Sequence, residues 1–319
     1  MHGQTGNPIP FQGVSILAVI DEGHTGVALF MTLSGYLFAK ILDGRRVLYL
    51  QFFWTRVLRL APLLVIVIVI EGVRLWFNGG NIRPYAIEIM KGVAWPSLPN
   101  GGWSITVEAH FYVILPFLLI IAEKRPSALI GFVLAAILIR LAIYLSGLNI
   151  QQFAYGTIVG RIDQFVFGII AFKYKRIFKG NHGPAISVMA IFFIIYYLFD
   201  LQGGGKDGSK MWWILLPTIE GIAYCTLIAW YDNSFRHSLG PVSRLIGKMG
   251  EYSYSIYLIH FFFVFQMAQF IAAHVMALDN FYVAMAWSAI SFMLMMPTGY
   301  ISMKLVEEPP RRFRKKYVV

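Results

Sequence analysis

Nine stretches of this chain are apolar for about the length needed to cross a bilayer: residues 25–42, 57–74, 103–122, 127–146, 159–173, 184–200, 211–230, 254–274 and 282–303. A hydrocarbon core of about 30 Å takes roughly 20 helical residues. Inside it every backbone N–H and C=O must be satisfied within the protein, which leaves helices or closed barrels. Unbroken apolar runs, without the alternation of a barrel strand, select helices. The expected fold is therefore an all-α polytopic membrane protein, a bundle of about nine transmembrane helices embedded in a lipid bilayer. Several runs fall short of twenty residues, so tilt or partial burial is expected. Composition agrees: 58% of residues are hydrophobic and 13% charged, where a soluble domain carries about one quarter charged. The longest stretches between spans, 75–102 and 231–253, are too small to be domains. No internal repeat is visible, and residues 1–319 read as one membrane domain.

The formal charge of +11 raises nucleic acid as a partner, but the placement of the cations excludes it. They sit in short loops, where Lys and Arg report topology. One alternate set of loops holds Lys40, Arg45, Arg46, Arg56, Arg59, Lys124, Arg125, Lys173, Lys175, Arg176, Lys179, Arg236, Arg244 and Lys248, and the tail adds Lys304, Arg311, Arg312, Arg314, Lys315 and Lys316. The other set holds only Arg83, Lys91, Lys206 and Lys210. Twenty cations against four place the first set in the cytoplasm. Residues 304–319 then form a cytoplasmic basic tail, and nine spans leave residues 1–24 as an outer loop. Nothing ahead of that loop would carry it across, so the pattern predicts that a first helix is missing. The lone Cys225 lies in an apolar run and reads as packing.

Ionisable residues within spans cost about 2.5 kcal/mol or more each on insertion scales, and so mark candidate sites. The run 103–122 carries Glu108 and His110 within two turns of its start. Ser104, Glu108 and Tyr112 recur every four residues and share one face. His110 points off that face and reads as packing. Arg161 and Asp163 open another span; two residues apart, they face differently and are not one salt bridge on one helix face, and either pairs with Glu108, as a purely structural ion pair, or contacts an acceptor. Arg56 and Arg59 share a face at a cytoplasmic helix start. They anchor the span, or they bind phosphate, for which guanidinium forks are suited. His260, near Tyr254 and Tyr257, is a core histidine or a ligand. His24 is a solvated loop residue or part of an outer site. Trp212 and Trp213 read as lipid contacts or interface-belt residues. Ser34-Gly35 reads as a close helix contact. No G-x-x-x-x-G-K-[ST], H-E-x-x-H or G-x-S-x-G occurs, so ATP-driven transport, zinc chemistry and a hydrolase elbow lose support; no metal is expected.

Six stretches in order resemble the membrane acyltransferase-3 family, over residues 24 to 312. Gly102-Trp103-Ser104 with Glu108, Phe111-Tyr112 and Pro116 is similar to the family's W-S-x-x-x-E-x-x-F-Y-x-x-x-P. Residues Gly26 to Leu37 resemble G-V-x-L-F-F-x-L-S-G-F-L. Arg56-Val57-Leu58-Arg59-Leu60-Ala61-Pro62 resembles R-x-x-R-[IL]-x-P. Arg161-Ile162-Asp163-Gln164-Phe165 with Gly168 resembles R-x-D-x-F-x-x-G. Ser253-Tyr254 with Tyr257-Leu258 and His260 resembles S-Y-x-x-Y-L-x-H, and Val306-Glu307-Glu308-Pro309 resembles V-E-x-P.

The resemblance implies an integral membrane O-acyltransferase. It would move an acyl group, in the first instance acetyl, from a cytosolic acyl-CoA to a hydroxyl of an extracytoplasmic carbohydrate or glycolipid. The expected location is a bacterial-type inner membrane with the C-terminus cytoplasmic. Acyl-CoA (acetyl-CoA) enters as donor substrate, with no bound cofactor. Family members open with a helix carrying R-x-x-R and a histidine thought to be the base. Nothing here matches that helix, so the base is His2, or His24, or absent. The resemblance adds Glu108 as a catalytic candidate. It assigns Arg56, Arg59, Trp103, Ser104, Tyr112, Arg161, Asp163, Tyr254 and His260 to substrate binding. Two alternatives stand beside this: a secondary transporter, for which repeats and broken helices would be the sign, and an inactive truncated member.

Overall fold

The computed structural model describes residues 15–236 and 238–318. Its helices are α1 (Ser15–Asp21), α2 (Thr25–Leu42), α3 (Tyr49–Phe77), α4 (Ile82–Lys91), α5 (Trp103–Lys124), α6 (Leu129–Leu145), α7 (Ile150–Gly156), α8 (Ile158–Lys173), α9 (His182–Leu201), α10 (Trp212–Ser234), α11 (Pro241–His274), α12 (Phe281–Ser302) and α13 (Glu308–Arg311). Among the described residues the only β pairing is the isolated bridge Val47–Val318. Among the described residues eight helices are long and apolar enough to span a membrane, and a ninth is counted if α7 and α8, bent by 44°, form one broken span. Each of the nine expected runs falls on one of these helices. The expectation missed α1, inside the stretch read as an outer loop, and the short helices α4 and α7.

The helices divide into two compact units. One holds α1, α2, the body of α5 and α6 to α10; the other holds α3, α4, the start of α5 and α11 to α13.

In the first unit α2, α8 and α10 pack together. Small residues let α2 and α8 approach closely. A Cβ on Gly35 would stand 2.1 Å from the Phe165 carbonyl oxygen, and one on Gly168 would stand 2.1 Å from that of Thr32. Residue pairs along the three helices rise together. Arg161 reaches Met31, Tyr36 meets Phe172, Asp163 meets Thr218, and Thr25 and Tyr36 reach Tyr224 and Asp232. The three therefore run parallel, as an odd number of intervening spans requires. Lys40, Asp43, Lys173 and Asp232 gather at their C-terminal ends. An aromatic cluster of Phe192, Tyr196, Phe199, Trp213 and Tyr224 packs with Ala28, Ile150 and Ala154 around their N-terminal part. Trp213 is fully buried there and its indole donates to the Asp207 carbonyl at 3.0 Å. This corrects the lipid-contact or interface-belt reading of that residue: its ring fills the core because its N–H finds a backbone partner at the core's edge.

In the second unit α11 packs against α12. Glu307 is buried in the turn after α12, where it accepts from the Ser255 hydroxyl and from Arg311 at 2.9 Å. Tyr85 of α4 donates to the Ile68 carbonyl of α3 at 2.7 Å.

Candidate functional site

The N-terminal ends of α2, α8 and α10 hold the densest polar network. Arg140 and Asp163 are both fully buried and pair at 2.7 Å. Thr218 joins them, donating to Asp163 at 2.6 Å, and Arg140 also reaches the Gly160 carbonyl at 3.1 Å. The second Asp163 oxygen accepts the Gln164 N–H at 3.0 Å. These are the contacts of a framework residue, and its partner is Arg140. A neutral or unpaired group here would leave a buried charge uncompensated.

Arg161 also points inward. Its Nε donates to the Tyr155 carbonyl at 2.6 Å and one terminal nitrogen donates to Gln164 Oε1 at 3.0 Å; its guanidinium lies 3.7 Å from the Tyr155 ring centroid. Gln164 passes the chain on, donating to Glu220 at 2.9 Å. Glu220 is fully buried in α10 and accepts from Tyr196 and from Tyr155, the latter at 3.3 Å. Sequence reasoning missed Glu220, although the signal was present: a lone carboxylate in the run 211–230, the criterion that drew attention to Glu108.

His24 stands just before α2, close to this network. Its Nδ1 lies 3.0 Å from Glu22 Oε2. Its ring meets Tyr155 edge-on at 4.7 Å and approaches Trp213 at 5.8 Å. Its Nε2 is buried and has no hydrogen-bond partner among the described residues. Glu22 is itself placed by a glycine loop: the Gly205 N–H donates to Glu22 Oε1 at 2.9 Å. The two glycines before it have left-handed backbones, φ +100° at Gly203 and +53° at Gly204. A Cβ on Gly204 would lie 1.7 Å from Glu22 Oε1, so only glycine lets the loop close over the carboxylate. Burial raises the Glu22 carboxyl's pKa, but His24 and the Gly205 N–H together outweigh it and hold it below its ordinary value.

Glu108 is buried and accepts from the Tyr112 hydroxyl one turn on. Tyr112 joins Phe38 and Phe111 in an aromatic contact, and Phe111 stacks on Phe165 at 3.9 Å.

In the second unit, Ser104 donates to the Gly101 carbonyl at 3.0 Å in the turn that starts α5, beside Trp103. Tyr257 donates to the same carbonyl, also at 3.0 Å. Tyr254 donates to the Leu60 carbonyl of α3. His260 is half-buried, its Nδ1 2.6 Å from the Tyr257 carbonyl. Arg56 and Arg59 occupy one face near the start of α3; Arg56 donates to the Tyr317 hydroxyl at 2.8 Å. His2 lies outside the described residues.

A family model described as an acyltransferase domain, that of the acyltransferase-3 family, matches residues 3–302. The chain belongs to the acyltransferase-3 family. No curated protein and no solved structure matches it. As a member of that family it is a multi-pass membrane acyltransferase, and a lipid bilayer, an acyl donor and an acyl acceptor are the partners that such a protein requires. The motif residues that carried the resemblance divide into two sorts in this acyltransferase. Gly35, Gly168, Asp163 and Glu307 hold helices together, the last with Ser255 as its partner. Arg56, Arg59 and Glu108 stand where a role beyond packing is open to them.

Proposed function

We propose that this acyltransferase moves an acyl group, acetyl in the first instance, from a cytosolic acyl-CoA to a hydroxyl of a glycan or glycolipid. The acceptor lies on the outer side of a bacterial-type inner membrane, and the C-terminus lies in the cytoplasm. The observation that carries this reading is the Glu22–His24 pair. Glu22 fixes the tautomer with the proton on Nδ1, and the buried, unpartnered Nε2 is left as a base. His24 Nε2 takes the hydroxyl proton as the acceptor oxygen attacks the thioester carbonyl. The tetrahedral intermediate collapses, the C–S bond breaks, and the imidazolium returns the proton to the departing thiolate. Free CoA and an ester result, with no net proton change.

Arg56 and Arg59 bind the donor's phosphates. Glu108, oriented by Tyr112, meets the acceptor, and Trp103 and Ser104, one turn earlier on the same helix, bind substrate. Arg161 supplies positive charge to the same end of α8 that Asp163 and Arg140 stiffen. Tyr254 and His260 contact the donor's path.

The test is transfer of label from radiolabelled acetyl-CoA to envelope glycan and glycolipid in membranes containing the protein. Wild type is expected to transfer, and His24→Ala to lose about 10²-fold or more, as for loss of a positioned base. Glu108→Gln, which keeps shape, is expected to insert normally and lose transfer on a similar scale. Uptake of label without transfer would replace this reading with a transporter. Normal transfer by His24→Ala would remove His24 as the base.

A further inference from the structure

The last described residues return to the start of α3 and bring cations with them. Thr55 Oγ1 donates to the Lys315 carbonyl at 3.4 Å, and Arg56 donates to the Tyr317 hydroxyl at 2.8 Å. The Tyr317 ring meets Phe52 edge-on at 5.4 Å, and the Arg56 guanidinium lies 5.2 Å from the Phe52 ring and 5.6 Å from that of Tyr317. Thr55 and Arg59 are four residues apart and so lie one above the other on α3. A segment pinned at Thr55 through Lys315 thus carries Arg314 along the side that presents Arg56 and Arg59. The backbone before it is also fixed: turns close from Arg312 N to Pro309 O at 3.3 Å and from Arg314 N to Arg311 O at 3.2 Å.

The cluster is rich in positive charge and poor in negative. Arg311 has a carboxylate partner, Glu307 at 2.9 Å. Among the described residues no carboxylate pairs with Arg314. Partial burial and the positive charges of Arg311, Arg59 and Arg56 hold its guanidinium below its ordinary pKa. Like charges gathered without an anion repel, and an anion with several negative oxygens offsets that repulsion. Arginine is suited to it, since its planar fork meets a phosphate with two donors.

We propose that Arg314 is a third guanidinium, beside Arg56 and Arg59, of a polyphosphate-binding site built from the start of α3 and the chain's final segment. The ligand class is a nucleotide carrying several phosphates. On the reading that Arg56 and Arg59 hold the donor, on which this inference rests, that ligand is the nucleotide end of CoA. The Thr55–Lys315 and Arg56–Tyr317 contacts hold the segment in position. An anionic lipid headgroup shares the phosphate chemistry, and the experiment separates the two sources.

The full chain is placed in nanodiscs of phosphatidylcholine alone, or of phosphatidylcholine with phosphatidylglycerol. CoA and pantetheine, which lacks the nucleotide, are titrated into each. Wild type is expected to bind CoA well and pantetheine poorly. In phosphatidylcholine alone, Arg314→Gln is expected to weaken CoA binding about tenfold, equivalent to about 1.4 kcal/mol. Arg312→Gln, which removes the same charge two residues away, is expected to change it less than about twofold, as for a distant solvated charge. Equal weakening by both would mean long-range charge only and would overturn the site. So would an Arg314→Gln effect seen only with phosphatidylglycerol, which would assign the arginine to lipid. If Arg56→Lys and Arg59→Lys weaken CoA binding and Arg314→Gln does not, the donor reading stands and this inference falls. If the α3 variants bind CoA as wild type does, the donor reading falls and the joint site with it.

Discussion

At the scale of single residues, the structure separates charges that hold the fold from charges left available. Asp163 belongs to the first kind, since three groups satisfy its carboxylate and both it and Arg140 are out of reach of solvent. Asp163→Ala would leave Arg140 buried and uncompensated, and breaking a buried pair in this way costs about 3–5 kcal/mol. The expected result is a large drop in the melting temperature of the detergent-solubilised protein. A variant that melts as wild type does would show that the pair contributes nothing to the fold. Glu22 makes a different prediction. Its pKa in the folded protein lies below the ordinary value of 4.5. A depressed carboxyl contributes stability above its unfolded pKa and loses it as pH falls through the folded one. Wild type should therefore lose stability relative to Glu22→Gln as pH drops below about 4.5, measured as the difference in melting temperature between pH 6 and pH 3.5. A difference that does not change with pH would mean that the Glu22–His24 contact carries no linkage.

At the scale of elements, the α2–α8 contact decides where the polar ends sit. Gly35 lies against the backbone of Phe165, and Gly168 against the backbone of Thr32 and Tyr36. A side chain that met only the tip of a flexible neighbour would be accommodated; a backbone carbonyl at 2.1 Å is not. Gly35→Ala must push the helices apart, at a cost of about 1–3 kcal/mol for overpacking. It should also shift Arg161 relative to Met31. The expected outcome is a lower melting temperature and reduced transfer together. Gly131→Ala, at a glycine with no heavy atom within 4 Å of an added Cβ, should change neither. If Gly35→Ala is as stable as Gly131→Ala, close backbone contact at Gly35 does not hold α2 against α8. The Gly203–Gly205 loop is a second element of this kind, because it shapes the pocket around a carboxylate that a Cβ at Gly204 would displace.

At the scale of the whole molecule, topology joins sequence to function. Twenty cations in one set of loops against four in the other predict the tail on the cytoplasmic side and the loop around Ser209 outside. In a Cys225→Ala background, cysteines at Lys316 and Ser209 should label from opposite sides of intact membrane vesicles. Labelling of both from one side would exclude donor phosphates at Arg56 and Arg314 and an acceptor at the other end. The nine apolar runs were legible because lipid gives every spanning residue the same environment, so hydropathy alone reports the helix. Glycine motifs and the cost of charge in lipid were legible for the same reason, and they marked Ser34-Gly35, Arg161, Asp163 and Glu108. What each charge does was not legible. Arg140 and Asp163 lie 23 residues apart in the chain, and Gln164 and Glu220 lie 56 apart. Trp213 looked like a lipid-facing or belt residue and is core, because its ring neighbours, Tyr155, Phe199 and His24, come from α7, α9 and the turn before α2. Glu22 and His24 are two residues apart, yet their pairing needs the glycine loop to close over them. By itself, then, the sequence determined the class of fold, the positions of its apolar helices and the family, each of which rests on local composition and spacing. Only the tertiary structure decided which polar groups satisfy one another, because partners in a helical bundle are set by which faces meet, and that depends on the packing of every helix at once.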